Sequence, residues 1–253
     1  MIYYFSGTGN SRYCAHSLAN LTGDSTIFIS SGTTCNDMNP DVFGLVFPVY
    51  SWGVPSLVLD FISRLPDGFR PGYSYAVFCC GDETGNAPRM LVSALRRKGF
   101  LVNAMVSVIM PNNYVLLPGF NVDTAVVRDV KLEKVPGRLS EIAEWINARD
   151  CVQDYFTGSF PRLKTAIVYP LFRRWGVIRK LWRVKSSCVK CGLCADRCPV
   201  KNITMTETGP VFGHECVSCL SCYHSCPSRS IRYGSFTARK GQYMHPYKGV
   251  SDK

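Results

Sequence analysis

The sequence predicts an α/β protein in which a doubly wound, five-stranded parallel sheet is followed by a small α+β domain. Over residues 1–150, apolar strand-like segments alternate with amphipathic helical segments, a pattern typical of parallel sheets. A loop rich in glycine and hydroxyl residues follows the first of these segments. Farther along, one cysteine pattern starts at Cys188 and again 28 residues later at Cys216, which indicates a second domain built by internal duplication.

Five apolar segments are the predicted strands, with helical segments between and after them. The strands are predicted over residues 2–5, 26–29, 42–47, 74–80 and 101–110. The first helix presents Tyr13, Leu18 and Leu21 on one face, the second follows Pro55 and presents Leu57, Phe61 and Ile62, and the third spans residues 87–98. Residues 122–149 are predicted to be helical in two pieces, interrupted at Pro136-Gly137, and to close the first domain.

The loop after the first strand is a candidate anion site. It consists of Ser6, Gly7, Thr8, Gly9, Asn10 and Ser11. Backbone N–H groups and the dipole of the following helix favour a phosphate at such a place. A dinucleotide fingerprint would need a third glycine where Arg12 stands, and a P-loop would need a lysine. The loop resembles the FMN phosphate loop of the flavodoxin family, which implies that hydroxyls and amides hold the phosphate; a glycine-rich turn without a ligand is the alternative.

Two loops that follow strands are the predicted clamps for the flavin ring. In open parallel sheets the ligand lies beyond the carboxyl ends of the strands. The first clamp consists of Pro48, Val49, Tyr50, Ser51, Trp52 and Gly53, and the second is drawn from residues 81–86, with Gly81, Asp82, Thr84, Gly85 and Asn86 as contacts. Tyr50 and Trp52 are suited to stacking on a flat ring, and their place in a loop at a strand end favours this over the alternative that they are packing residues. Residues 111–114 are a third candidate contact.

Two cysteine runs of the form C-x2-C-x2-C-x3-C-P make up the most specific motif. This spacing is the signature of bacterial two-cluster [4Fe–4S] proteins, in which the fourth cysteine of each run ligates the other cluster. One predicted cluster therefore takes Cys188, Cys191, Cys194 and Cys226, and the other takes Cys198, Cys216, Cys219 and Cys222. Residues 186–235 resemble a bacterial-type ferredoxin. Zinc and disulfides are the alternatives, but zinc sites need no third cysteine at this spacing and disulfides suit secreted domains.

The remaining cysteines and the hydropathy indicate where the protein resides. Cys14, Cys35, Cys79, Cys80 and Cys151 are scattered and odd in number, as expected for thiols in a reducing cytoplasm. No apolar run approaches 18 residues and no basic leader opens the chain, so we expect a cytoplasmic protein without a transmembrane helix. His214 and His224 lie among the cysteine ligands; since all eight ligand positions are filled, we expect both to lie beside the ligands or on the surface.

The basic charge is concentrated after residue 150. Residues 1–150 hold 12 Lys and Arg against 13 Asp and Glu, residues 151–187 hold 8 against 1, and residues 188–253 hold 9 against 4. In the connector, residues 151–185, an apolar stripe of Leu171, Trp175, Ile178 and Trp182 predicts a basic amphipathic helix. That helix would pack one domain on the other, or contact a membrane surface or an acidic partner. The basic tail, residues 236–253, is expected to be poorly ordered at its end.

The two modules together resemble the fused flavodoxin–ferredoxin electron-transport proteins of anaerobic bacteria, the EFR1 type. The resemblance implies an electron carrier with two [4Fe–4S] clusters and a non-covalent FMN, and with redox proteins bearing acidic surfaces as partners. Two alternatives stay open: an FMN-dependent oxidoreductase fed by the ferredoxin module, for which Tyr50, Asp82 and Tyr114 are candidate acids by location, and a membrane-docked subunit of a larger redox complex. No nucleic-acid partner is predicted.

Overall fold

The computed structural model describes residues 1–175 and 178–247. A six-stranded, wholly parallel sheet forms the first module. Its strands are β1 (Ile2–Tyr4), β2 (Thr26–Phe28), β3 (Val42–Pro48), β4 (Tyr73–Cys80), β5 (Ala104–Ile109) and β6 (Gln153–Asp154), in the order β2-β1-β3-β4-β5-β6. The order of the first five strands is that of flavodoxin, so the predicted fold class is confirmed. The sixth strand escaped prediction because its two residues are polar and exposed.

Helices cover both faces of this sheet. They are α1 (Asn10–Thr22), α2 (Ser56–Ser63), α3 (Ala87–Arg97) and α4 (Ala125–Ala148). One core packs α2 and α3 against the sheet, and a second core packs α1 and α4 against the opposite face. All eight residues of β4 are buried, as expected of a central parallel strand that is covered on both sides. The double winding leaves only the strand ends free to form a site.

The predicted interruption at Pro136-Gly137 is wrong, because α4 is one continuous helix of 24 residues. Proline removes a backbone donor from a helix interior, which normally breaks or kinks it. Here Val135, Leu139 and Ile142 are buried in the core on either side of the proline. We infer that this burial holds the two turns in line despite the lost hydrogen bond.

Replacing Gly137 with alanine should stabilise the protein. Gly137 is exposed in the interior of α4, and an added Cβ would meet no atom within 4 Å. Alanine restricts the unfolded chain more than glycine does, so we expect the free energy of unfolding to rise by about 0.5–1 kcal/mol. Urea unfolding would measure the gain. A decrease in stability would show that α4 is strained beside Pro136.

The second module contains two short antiparallel sheets and two short helices. The strands are β7 (Trp182–Val184), β8 (Ile203–Thr206), β9 (Gly209–Phe212) and β10 (Ile231–Tyr233), with β10 paired to β7 and β8 to β9. The helix α5 (Pro161–Trp175) connects the modules, and α6 (Leu193–Asp196) and α7 (Ser221–Ser225) follow within the second. No helix in the part of the chain that the structure describes is long and apolar enough to cross a membrane.

The predicted amphipathic helix over residues 171–185 is wrong beyond Trp175. A 3-10 turn spans Arg179–Leu181 and β7 follows it, because Trp182 stacks on Phe212 with ring centroids 5.1 Å apart. Ile178 is 47% exposed, so it does not continue an apolar stripe. Residues 176–177, and the side chains of Leu171, Arg173, Arg174, Trp175 and Arg179, lie outside what is described. The helix instead lies N-terminal to the predicted stretch, and its Tyr169 hydroxyl donates to the Val54 carbonyl of the first module.

Candidate functional site

A cavity of about 420 Å³ opens at the carboxyl ends of the parallel strands. This volume lies within the usual range for small-molecule sites. The predicted site residues that line it are Ser6, Gly7, Thr8, Asn10, Ser11, Pro48, Val49, Tyr50, Ser51, Trp52, Gly81 and Asp82. The structure therefore brings residues from all three predicted loops to one place.

The loop of residues 6–11, which we call the phosphate loop, is held in shape by hydrogen bonds of its polar side chains. Ser6 Oγ accepts a hydrogen bond from the Gly9 N–H at 3.1 Å, and Thr8 Oγ1 accepts one from Asn113 Nδ2 at 2.6 Å. Asn10 Nδ2 donates to the Pro111 carbonyl at 3.0 Å. Gly9 adopts a φ of 98°, the left-handed conformation that glycine tolerates best, immediately before α1. These contacts fix the loop but leave one hydroxyl uncommitted.

That hydroxyl belongs to Ser11, which is 1% exposed and lines the cavity at the N-terminus of α1. Its Oγ has no hydrogen-bond partner among the described residues. A buried hydroxyl without a partner is costly unless a ligand satisfies it, and the start of a 13-residue helix favours an anion. The loop therefore fits a phosphate group, with Ser11 Oγ and neighbouring backbone N–H groups as donors.

The aromatic clamp is held in a strained backbone. Ser51 and Trp52 have φ values of 45° and 61°, which non-glycine residues seldom adopt. Trp52 Nε1 donates to Glu83 Oε1 at 2.5 Å, and a Cβ on Gly85 would lie 2.3 Å from the Trp52 Cβ. Strain that persists in this way is held by surrounding contacts and is characteristic of ligand clamps. Tyr50, beside Trp52, faces the cavity.

Five predicted contacts support the loops from behind and do not line the cavity: Gly9, Gly53, Thr84, Gly85 and Asn86. Gly53 exchanges two backbone hydrogen bonds with Tyr50. Thr84 is fully buried and bonds the Phe156 carbonyl, while the Asn86 N–H donates to Thr165 Oγ1 of α5. In this structure Gly9 shapes the phosphate loop, and the other four residues shape the two clamps.

Long-range folding brings further residues to the cavity. Those outside the predicted set are Cys79, Cys80, Glu83, Met110, Pro111, Asn112, Asn113, Tyr114, Leu117, Phe120, Val168, Phe172, Ser218, Cys219 and Leu220. Among these residues only 111–114 were indicated by the sequence, as a third candidate contact that follows a strand. The contributions of α5 and of the second cysteine run depend on how the modules pack, which no local pattern reports.

Two further cavities of about 20 Å³ are each lined by four cysteines. Cys188, Cys191, Cys194 and Cys226 line one and form what we call the outer set; Cys198, Cys216, Cys219 and Cys222 line the other and form the inner set. Each set joins three cysteines of one run to the fourth of the other, which is the grouping that the sequence predicts. Within the described ranges, no group of three or more His, Cys, Asp or Glu side chains is placed to hold a metal ion. A four-iron cube spreads its ligands farther apart than one ion does, so that finding concerns single-ion sites.

The duplication extends to the backbone. Cys198 Sγ accepts a hydrogen bond from the Asn202 N–H at 3.2 Å, and 28 residues on Cys226 Sγ accepts one from the Ser230 N–H at 3.3 Å. Gly192 and its counterpart Leu220 both have positive φ, at 79° and 59°. Hydrogen bonds to cluster sulfurs are one means by which proteins tune reduction potentials.

The inner set requires a cationic centre to carry thiolates. Burial raises the pKa of the Cys219 thiol to about 12 and raises the pKa of Cys222 well above its ordinary value. Without metal both thiols would be neutral at pH 7. Ligands must be deprotonated, so a metal centre bound here would release protons and would have to offset this desolvation.

His224 is buried between the modules, one of the two places expected for it, beside the ligands Cys222 and Cys226. Its Nε2–H donates to the Asn113 carbonyl at 2.7 Å, because its Nδ1 accepts from the Tyr243 N–H at 3.1 Å and fixes the tautomer. Burial lowers the pKa of His224 to about 4. The ring therefore ties α7 to the loop after β5 and to the C-terminal segment.

That C-terminal segment, residues 236–247, returns to the phosphate loop. The Tyr243 hydroxyl donates to Asn10 Oδ1 at 2.6 Å, and the His245 N–H donates to the Thr8 carbonyl at 2.8 Å. The His245 ring stacks on Tyr13 with centroids 4.5 Å apart. The poor order expected at the end of the tail concerns residues 248–253, which lie outside the described residues.

We expect acid to loosen this segment. Burial, and then the nearby Arg12, lower the pKa of His245 to about 4 from 6.5. The undocked segment therefore binds more protons between these values, so docking is favoured above about pH 6.5 and weakens as pH falls towards 4. Hydrogen exchange of residues 236–247 should rise from about pH 7.5 to about pH 5, after correction for the intrinsic exchange rate.

The variant His245→Phe is the control, since it keeps a ring against Tyr13 and removes the titrating group. Its exchange should depend less on pH, the remaining dependence coming from His224, whose pKa is also lowered to about 4. Equal pH dependence in both proteins would exclude His245 as the source.

Comparison with known proteins gives a partial match in each module. A family model described as a 4Fe–4S binding domain matches residues 182–204. No curated protein matches the chain. A flavodoxin from Streptococcus pneumoniae TIGR4 is 15% identical over 58% of this chain and 97% of that chain, with a TM-score of 0.41. The Trp repressor binding protein from Bacillus subtilis is 13% identical over 56% and 96%, with a TM-score of 0.36. The chain is thus similar to 4Fe–4S proteins over residues 182–204, and its strand order places the first module in the flavodoxin-like fold class.

Proposed function

We propose that this protein transfers electrons between two [4Fe–4S] clusters and a non-covalently bound FMN, as a fused carrier of the EFR1 type. The observation that supports the proposal most directly is that the second cysteine run lines part of the candidate flavin cavity. Ser218, Cys219 and Leu220 lie within the second cysteine run and also line the cavity at the head of the sheet. A candidate cluster ligand, Cys219, therefore lies directly at the candidate flavin cavity.

The chain supplies positioning and tuning in this scheme. FMN can hold one or two electrons, which lets it link one-electron and two-electron chemistry. Ser11 Oγ and the loop amides hold the phosphate, while Tyr50 and Trp52 enclose the ring and exclude water. The N–H groups of Asn202 and Ser230 hydrogen-bond cluster sulfurs and help to set their potentials. No general acid is needed for this function.

The kind of redox partner is proposed from the distribution of charge along the chain. The excess of lysine and arginine after residue 150 favours redox proteins with acidic surfaces, inside the cell, as donors or acceptors. The membrane-docked alternative was drawn from a helix over residues 171–185, and that stripe does not support it, because α5 ends at Trp175. Sedimentation with anionic vesicles at low and high salt is the measurement that tests it.

A ferredoxin-fed reductase is the second candidate, and one observation favours it. The Tyr114 hydroxyl is buried without a partner among the described residues, and Tyr114 lines the cavity. Burial raises the pKa of this phenol to about 12, so it would stay protonated and able to donate. A substrate that oxidises the bound flavin, and does so more slowly in Tyr114→Phe, would favour this candidate.

Anaerobic purification with quantitation of iron, sulfide and flavin tests the main proposal. We expect about eight irons, about eight sulfides and one FMN per chain, from two four-iron clusters and one flavin. The flavin should bleach when a low-potential one-electron donor is added. Zinc in place of iron, or a protein that takes up no flavin on reconstitution, would overturn the proposal.

A further inference from the structure

We infer that the outer set is the port at which electrons enter or leave the protein, and that the inner set alone exchanges them with the flavin. This order of electron transfer rests on the proposed function and specifies where in the molecule each transfer takes place. Three observations carry it: where the inner set lies, how the two sets meet, and which set reaches the surface.

The inner set is embedded between the modules. A Cβ on Gly7 of the phosphate loop would lie 2.1 Å from the Cys219 carbonyl oxygen, so these two loops are in direct contact. The Ser31 N–H donates to the carbonyl of Pro199, next to Cys198, at 3.2 Å. Val217 and Cys219 pack against the core of the first module. None of the four inner cysteines is exposed, whereas Cys191 of the outer set is.

The two sets meet across the short helices α6 and α7. These helices pack on each other and carry Cys194 of the outer set and Cys222 of the inner set. Both cysteines belong to one buried apolar cluster. An electron can therefore pass between the sets through the interior of the second module.

The outer set lies at the surface and away from the flavin cavity. Cys191 is exposed, and its neighbour Val189 is 64% exposed. None of the residues that line the outer-set cavity also lines the candidate flavin cavity. Lys185 and Lys190, both exposed, flank Cys188 and add positive charge where an acidic partner would approach.

Each passage moves one electron. A one-electron donor protein is oxidised by one electron as the outer cluster is reduced, and the inner cluster takes that electron from the outer one. Two passages deliver the two electrons that the flavin can hold, and the flavin takes up protons from water to balance its charge. With an oxidised acceptor outside, the same route runs in reverse.

The test compares Cys188→Ala with Cys216→Ala in the full chain, reconstituted with iron, sulfide and FMN under anaerobic conditions. The two cysteines open the two runs and have the same intermediate exposure, so they form a matched pair. Loss of the inner cluster should raise the fluorescence of bound FMN several-fold, because a nearby cluster quenches it, and should shift the flavin midpoint potential. Loss of the outer cluster should leave both properties unchanged. The reverse pattern, or equal effects, would overturn the order.

Entry of electrons through the outer set is tested by the rate at which a protein donor reduces the flavin. Flavin bleaching by a reduced, small acidic ferredoxin should slow at least tenfold in Cys188→Ala, although its inner cluster remains. An unchanged rate would contradict the assignment of the outer set as the port for electrons. If either variant fails to fold, Lys185→Glu is the substitute, because Lys185 is exposed and lines neither cysteine cavity. It should slow the same reaction at low salt, whereas Arg97→Glu on α3 should not. Equal rates in these two variants would contradict the assignment of the outer set as the port. A wild-type protein that binds no flavin, or whose flavin never bleaches, would instead contradict the proposed function.

Discussion

Replacement of Cys198 with alanine is expected to remove the inner cluster, although Cys198 belongs to the first run. The iron content should fall by about half, because the outer set keeps its four ligands. Cys198 lines one cavity with Cys216, Cys219 and Cys222. The loss should also lower the free energy of unfolding by several kcal/mol, since buried thiols would replace a ligated metal centre. Iron and sulfide analysis, with electron paramagnetic resonance of the reduced protein, measures the first effect.

Two other cysteines make the result interpretable. Cys226→Ala, 28 residues on, should remove the outer cluster and leave the inner one. Cys151→Ala should keep the full iron content, because Cys151 is exposed and lines neither cavity. If Cys198→Ala lost the outer cluster and kept the inner one, the crossed assignment of ligands would be wrong.

Replacement of Gly7 with alanine is expected to disrupt the contact between the modules and the flavin site together. The added Cβ would lie 2.1 Å from the Cys219 carbonyl oxygen, and backbone stands on both sides of the clash. Overpacking of this kind typically costs about 1–3 kcal/mol of unfolding free energy. If the phosphate loop moves to relieve the clash, FMN affinity falls by about tenfold for each 1.4 kcal/mol. Thermal unfolding and flavin titration measure the two quantities.

Gly32→Ala is the matched control, because a Cβ there would meet no atom within 4 Å. It should leave the flavin affinity unchanged and should not lower the melting temperature. The iron content of Gly7→Ala should stay near that of the wild type, since no ligand is removed. Wild-type flavin affinity in Gly7→Ala would show that the cysteine loop can withdraw without disturbing the phosphate loop.

Local sequence patterns predicted the strands, the helices and the cysteine sets correctly where burial of apolar residues or ligand spacing alone decides the structure. The parallel, doubly wound sheet follows from alternating strand and helix segments, and the two cysteine sets follow from the crossover rule of the two-cluster signature. The errors arose where tertiary packing overrode local preference. Burial of Val135, Leu139 and Ile142 keeps α4 continuous through Pro136. Stacking of Trp182 on Phe212 turns a predicted helix into a strand.

The candidate site was predictable only in part, for a related reason. Loops after parallel strands must share one edge of the sheet, so the phosphate loop and the aromatic clamp could be found. Nothing in the sequence near Ser218 or Phe172 indicates that these residues close the same cavity. Their position depends on how the two modules pack, which involves contacts more than 100 residues apart, such as His224 with Asn113.

The return of residues 236–247 to Thr8, Gly9 and Asn10 has a bearing on biosynthesis. A ribosome makes this segment after every residue that lines the cavity, so its hydrogen bonds to the phosphate loop can form only once the whole cavity wall has been synthesised. A nascent chain can therefore fold its sheet before Tyr243 and His245 reach Asn10 and Thr8. Until the second module is in place, the segment also lacks the hydrogen bond from the Tyr243 N–H to His224 Nδ1.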